Sequence, residues 1–190
     1  PEGPAMLRLA VVTASTRPGR IGPSIAAWFS EEARAHGGFE VSDLDLAAFD
    51  LPVYDEPKHP RMQDYQHEHT RKWAAAIDAA DAFVFVTPEY NYGPTPALLN
   101  AFTYLAKEWG RKVCGFVSYG GVSGGIRGVQ AIKPIFATAN MMCLPQQVTI
   151  PFVFGQLEDA SFKPSDANKE AVAPMLDELA AWAGALKSIR

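Results

Sequence analysis

The sequence predicts an α/β fold, one parallel β-sheet with helices on both faces. Three observations point there. Short apolar runs recur five times, each closed by a polar, proline-rich or glycine-rich stretch. Segments with apolar residues at helical spacing lie between them. Right-handed crossovers turn such an alternation into a single parallel sheet.

Taken in order, Leu7 to Thr13 is almost wholly apolar and reads as a buried strand running into the polar loop Ala14-Ser15-Thr16-Arg17-Pro18-Gly19. A helix follows, with Ile21, Ile25, Trp28, Phe29 and Ala33 on one face and Gly37-Gly38 as its stop. Phe39 to Leu46 alternates imperfectly, which suits a second, edge strand. Residues 47–66 hold three prolines and no clean period, so they read as a long surface connection. Trp73 and Ile77 anchor a short helix, Ala82 to Thr87 is a third strand ended by Pro88, and a helix carrying Leu98, Leu99, Phe102 and Leu105 follows Pro96. Val113 to Tyr119 is a fourth strand. Val129, Ile132, Phe136 and Ala139 share a helical face that Pro134 is expected to kink, and Leu144 to Ile150 is a fifth strand. Val172, Met175, Leu176, Leu179, Trp182 and Leu186 line a closing helix that starts or bends near Pro174.

A chain of 190 residues is most simply one domain. Residues 7–190 are expected to form it. Residues 1–6 show no periodic pattern and are expected to be a frayed or added terminus. A hydrophobic content of 48% argues against disorder, and 17 basic against 21 acidic residues give a net charge of -4, without the basic excess of proteins that coat nucleic acid or anionic lipid. No apolar run reaches the ~18 residues of a membrane span and no signal peptide is recognisable, so a cytoplasmic protein acting on small molecules is expected. Cys114 and Cys143 form no C-x-x-C pair and read as reduced core residues.

Ligands of open parallel sheets bind at the carboxyl ends of the strands. Three loops lie there: 15–22, 88–96 and 118–125. The first offers the Ser15 and Thr16 hydroxyls, Arg17, Arg20, a flexible Gly19 and a helix start near Ile21 and Gly22, which is the composition that holds a phosphate. Neither G-x-G-x-x-G nor G-x-x-x-x-G-K-[ST] occurs, which argues against a dinucleotide Rossmann site and a P-loop. The second loop, Pro88-Glu89-Tyr90-Asn91-Tyr92-Gly93, sets two aromatics and an amide where a flat heteroaromatic ring could lie. The third, with Ser118, Gly120 and Gly121, brings backbone amides close without side-chain interference.

Ser15-Thr16-Arg17-Pro18-Gly19-Arg20-Ile21-Gly22, Leu51-Pro52-Val53-Tyr54-Asp55, Thr87-Pro88-Glu89-Tyr90-Asn91-Tyr92-Gly93 and Gly120-Gly121-Val122-Ser123-Gly124-Gly125 together resemble the NADPH-dependent FMN reductase family, which includes azo, quinone and chromate reductases. The resemblance covers roughly residues 7 to 150. It implies a flavodoxin-like three-layer fold with strand order 2-1-3-4-5, bound FMN, NADPH or NADH as electron donor, a small-molecule electron acceptor, and a homodimer or homotetramer. It also implies that the arginine loop receives the FMN phosphate and that the Pro-Glu-Tyr-Asn run borders the isoalloxazine ring. The chemistry would then sit on the flavin, with amides near Gly120 and Gly121 stabilising charge on the reduced ring and no obligatory catalytic side chain.

The main alternative is a flavodoxin-type FMN electron carrier without NAD(P)H-dependent turnover, although a charge of -4 is modest for such a carrier and Arg17 and Arg20 favour the reductase loop. Gly121-Val122-Ser123-Gly124-Gly125 also fits a hydrolase nucleophile elbow, but all four histidines, His36, His59, His67 and His69, precede Ser123, against the order such a triad needs. The His67-Glu68-His69 cluster lacks zinc-ligand spacing, so no metal is expected. Finally, Phe102, Tyr104, Trp109 and the Tyr90 loop supply more aromatics than a helix packed on one side of a sheet needs, which predicts self-association.

Overall fold

In the computed structural model, which describes residues 6–190, β1 (Leu7–Thr13), β2 (Phe39–Asp45), β3 (Ala82–Pro88), β4 (Val113–Tyr119) and β5 (Met142–Ile150) form one sheet. Every neighbouring pair is parallel and the order is β2-β1-β3-β4-β5. Of the terminus expected to be frayed, only Met6, which is exposed, falls among the described residues. β3 and β4 are buried along their whole length, whereas β2 and β5, at the edges, alternate buried with accessible positions. That difference is why the central strands are continuous apolar runs in sequence and the outer ones are not.

The helices are α1 (Gly22–His36), α2 (Leu46–Phe49), α3 (Glu68–Asp78), α4 (Pro96–Thr103), α5 (Ile126–Ala137), α6 (Asp166–Glu170) and α7 (Val172–Lys187). Strand periodicity separates two cores. On one face Leu9, Val11, Val84, Val86 and Val117 meet Ile25 and Phe29 of α1 and Met175, Leu176 and Leu179 of α7. On the other, Val12, Phe83, Phe85 and Phe116 meet Trp73 and Ile77 of α3, Leu98 and Phe102 of α4, and Ile132 and Phe136 of α5.

Three of the aromatics that suggested self-association, Phe102, Tyr104 and Trp109, belong to this second core, whereas in the Tyr90 loop Tyr90 is half-buried and Tyr92 exposed. Phe102, Tyr104 and Trp109 are all buried, Phe102 lies 4.6 Å from Phe136, and the Trp109 indole donates to the Phe102 carbonyl at 3.2 Å. The three-layer packing consumes them, so they supply no argument for a second copy.

Three details depart from the expected elements. β5 starts at Met142, ahead of the apolar run, and its register with β4 is irregular between Cys114 and Phe116. α5 continues through Pro134 and ends at Ala137, short of the Ala139 expected on its face. The two-residue strands β6 (Leu157–Glu158) and β7 (Ser161–Phe162) form a small hairpin too short for any periodicity, pinned where Phe162 meets Trp28 at 5.3 Å.

Candidate functional site

The loops after β1, β3 and β4 converge at the carboxyl end of the sheet. They share a cleft of about 160 Å³ lined by Ser15, Arg17, Arg20, Ile21, Pro88, Glu89, Tyr90, Gly120 and Gly121 among the expected residues. The cleft lies where β1 and β3 adjoin, the point at which the strand order reverses. Its floor is tied together by backbone: the Ala14 amide donates to the Val86 carbonyl at 3.0 Å, and Thr95, the N-cap of α4, donates to the Ala14 carbonyl at 2.9 Å. A far larger groove of about 1330 Å³ runs past Tyr54, Lys58, Lys107 and Lys112, but none of the three loops reaches it. Chemistry rather than size picks out the smaller cleft.

The two arginines of the first loop are not equivalent. Arg20 donates to both carboxylate oxygens of Asp45 and to the Ser15 carbonyl, each at 2.6 Å. This bidentate bond holds the Asp45 carboxyl below its usual range, and Asp45 also caps α2 through the Ala47 amide at 3.0 Å. Arg20 is thus a brace between the loop and the end of β2. Arg17 is exposed and has no carboxylate partner among the described residues. Beside it, the Ser15 and Tyr119 hydroxyls are buried next to one another and have no other hydrogen-bond partner. Burial pushes the Tyr119 phenol up to about 12, so it is protonated at neutral pH and able to donate. Gly22, the first residue of α1, leaves the room: a Cβ there would stand 2.4 Å from Ser15 Oγ and 2.8 Å from Tyr119 Oη. The N-cap, Ile21, contributes no side-chain acceptor to the first turn. In that turn Pro23 has no N–H and the Ser24 amide goes to the Ile21 carbonyl at 3.1 Å, so a free cation, the two hydroxyls and the Gly22 amide are the groups an anionic phosphate could satisfy.

In the second loop Tyr90 and Gly93 exchange backbone hydrogen bonds at 3.0 and 2.9 Å, and Asn91 and Tyr92 between them both adopt positive φ. This is the tight turn that asparagine favours at its first central position. The Glu89 side chain turns away from ligand duty. Its carboxylate accepts from Arg127 at 2.6 and 2.9 Å, from the Gly128 amide at 3.0 Å and from the Ser123 hydroxyl. Burial alone would raise its pKa, yet the bonds from Arg127, Ser123 and Gly128 outweigh it and hold the carboxyl low. Glu89 therefore ties the second loop to the start of α5. Ser123 gives its hydroxyl to this carboxylate. Arg127 also lies 3.8 Å over the Tyr92 ring, fixing that exposed side chain at the rim.

In the third loop the Gly120 amide is already given to the Ile150 carbonyl at 3.2 Å, so of the two expected amides only that of Gly121 has no acceptor among the described residues. Gly125 takes φ 84° with the Tyr119 backbone 2.9 Å from where a Cβ would be, so only glycine makes this turn. Thr16, Gly22, Asn91, Tyr92 and Ser118 do not line the cleft; Ser118 is buried beneath the loop. Three wall residues escaped the sequence reading: Tyr119, Val153 and Phe154. The last two come from a turn after β5, held by Phe152 and Val153 amides donating to the Gly121 and Gly120 carbonyls at 2.9 and 3.0 Å. Tyr119 could have been found as the last residue of β4, at the carboxyl end where ligands bind, while the Val153 turn carries no sequence signal of its own.

Residues 7–155 match the family model for NADPH-dependent FMN reductases. The chain belongs to that family. An NAD(P)H-dependent FMN reductase of Nectria sp, ntnL, is 33% identical over 156 residues, 79% of this chain and 78% of its own. A quinone reductase of Pseudomonas putida is 26% identical over 182 residues, 92% of this chain and 93% of its own. The flavoenzyme NAD(P)H:acceptor oxidoreductase FerB of Paracoccus denitrificans superposes with a TM-score of 0.74 at 17% identity, covering 95% of this chain and 98% of that one; at that identity the likeness is one of fold. As a member of the FMN reductase family the protein is a flavin-dependent oxidoreductase that uses NAD(P)H, and the flavodoxin-type carrier reading gives way. The groups around Arg17 fit the family's cofactor, because a free guanidinium beside buried hydroxyls suits the phosphate of FMN.

Proposed function

We propose that FMN binds in this cleft with its phosphate held by Arg17, the Ser15 hydroxyl and the first turn of α1, and with its ring between Pro88–Tyr92 and Gly120–Gly121. The observation that carries the reading is the unpaired Arg17 beside two buried hydroxyls, Ser15 and Tyr119, that have no partner but each other. Bound there, FMN supplies the chemistry of accepting hydride from NADPH or NADH and passing electrons to a second substrate. The chain's own part is to position and shield. Arg20, Asp45 and Glu89 brace the loops, the Gly121 amide would be a donor to the ring, and Val153 and Phe154 wall one side of the cleft.

The acceptor in this reading is a small molecule of the quinone or azo class, which suits an exposed rim formed by Tyr92 and Phe154. Residues 7–190 act as one FMN-binding domain in this reading, and a homodimer or homotetramer is the assembly it expects. A cytoplasmic setting belongs to the same reading. No helix among the described residues is long and apolar enough to cross a membrane. Anaerobic addition of NADPH or NADH to FMN-saturated protein is expected to bleach the flavin band, and a quinone to restore it. Bleaching only by a protein redox partner would return the electron-carrier reading.

A further inference from the structure

Cys114 and Cys143 are opposite one another across β4 and β5, Cα partners in the parallel register, with Sγ atoms 3.5 Å apart and both thiols free. Neighbouring strands lie about 4.8 Å apart, inside the roughly 4.4–6.8 Å that the Cα atoms of a disulfide span. The sulfurs have about 1.5 Å to close to reach an S–S bond of ~2.05 Å. The means of closing it is built in. Register passes from Cys114 opposite Cys143 directly to Phe116 opposite Gln147, so β5 spends Leu144, Pro145 and Gln146 where β4 spends Gly115 alone. An irregularity of this kind lets an edge strand shift locally without losing the rest of its ladder.

The two thiols have different surroundings. Cys114 is buried in the aromatic core, and burial pushes its pKa up. Cys143 is half-buried on the outermost strand, where the bond from the Cys114 S–H lowers its pKa, burial opposes this, and Lys133 lowers it further. Lys133 is held there by its bond to the Leu144 carbonyl at 3.2 Å.

We propose that Cys143 and Cys114 are a peroxide-responsive thiol pair, Cys143 attacking and Cys114 resolving, that closes a reversible disulfide between β4 and β5. The Cys143 thiolate sulfur bonds to one oxygen of hydrogen peroxide, the O–O bond breaks, and the departing hydroxide takes a proton to leave as water. Cys143 is then a sulfenic acid, oxidised by the two electrons that reduced the peroxide. The Cys114 sulfur attacks the Cys143 sulfur, the S–O bond breaks, and the Cys114 proton leaves with the hydroxyl as a second water. A dithiol reductant reverses the bridge by exchange. The partner at 3.5 Å is what would protect the sulfenic acid from further oxidation. The pair sits at the amino end of both strands, away from the cleft, so the bridge staples the sheet edge without blocking the site.

The test uses the full chain, treated with hydrogen peroxide, unfolded, alkylated with iodoacetamide and weighed intact. The expected species has lost two hydrogens, carries no alkyl group, is a single chain, and regains two alkylatable thiols after dithiothreitol. Its Tm should exceed that of the reduced protein by about 4–16 °C, from the ~2–4 kcal/mol typical of a disulfide. In Cys114→Ser, dimedone should label Cys143. Two alkyl groups after peroxide, a bridge only between chains, or dimedone on Cys114 of the Cys143→Ser protein in place of Cys143 would overturn the proposal. The first readout needs no variant, so it decides even if Cys114→Ser does not fold.

Discussion

Arg17 and Arg20 stand three residues apart in one loop and read alike in sequence. What separates them is Asp45, which is 25 positions beyond Arg20 and reaches it only because β2 pairs in parallel with β1. The phosphate loop was legible as a composition, but the division of labour inside it depends on a strand pairing. Glu89 shows the same limit: the Pro-Glu-Tyr-Asn run announces a ligand loop, yet its acidic member is spent on Ser123, Arg127 and Gly128. Glu89→Ala would leave these donors without their acceptor, for a cost of about 2–3 kcal/mol and a Tm fall of about 4–12 °C. The folded carboxyl titrates below its usual value, so its stabilising contribution is present above the unfolded pKa and is lost as pH falls through the folded one. Thermal melts from pH 7 down to acid should therefore show Glu89→Gln less stable at pH 7 and losing less on acidification than the wild type. Parallel curves would contradict that role.

Elements were readable in proportion to their burial. β3 and β4, covered on both faces, appear in the sequence as unbroken apolar runs, and their lengths were apparent. β5 was cut short because its first residues are only half-buried, and the β6–β7 hairpin, held by Phe162 on Trp28 and by the Phe162 amide on Ser24 Oγ at 2.7 Å, carries no period at all. The Val153 turn falls in the same unreadable stretch and supplies one wall of the cleft, so the part of the site that was missed is the part built from an irregular element. The turn into α5 is set by Gly125. Gly125→Ala forces a side chain into positive φ, at about 1–2 kcal/mol, and against the Tyr119 backbone as well. The expected result is a Tm lower by more than about 4 °C together with weakened FMN binding, measured on the same preparation. An unchanged melt would show that this turn relaxes freely.

At the scale of the whole molecule, alternating strands and helices were enough to fix a parallel sheet sandwiched between two cores, and the binding cleft follows from the place where the strand order reverses. Phe102, Tyr104 and Trp109 carry no argument for assembly, because a three-layer fold buries aromatics against the sheet, a volume that one helix in isolation does not reveal. A ligand that fills the cleft and binds only the folded chain should stabilise all of it: FMN at a hundred times its Kd adds about 2.7 kcal/mol, or about 5–11 °C in Tm. The central claim, that the first loop holds the FMN phosphate through Arg17 while Arg20 braces it, is tested by titrating FMN and riboflavin into wild type and Arg17→Ala by fluorescence quenching. A charge-assisted bond of about 1.5–3 kcal/mol predicts FMN binding weakened roughly tenfold to a hundredfold, with riboflavin, which has no phosphate, almost unaffected. Equal loss for both ligands, leaving their affinity ratio unchanged, would show that this loop does not hold the phosphate.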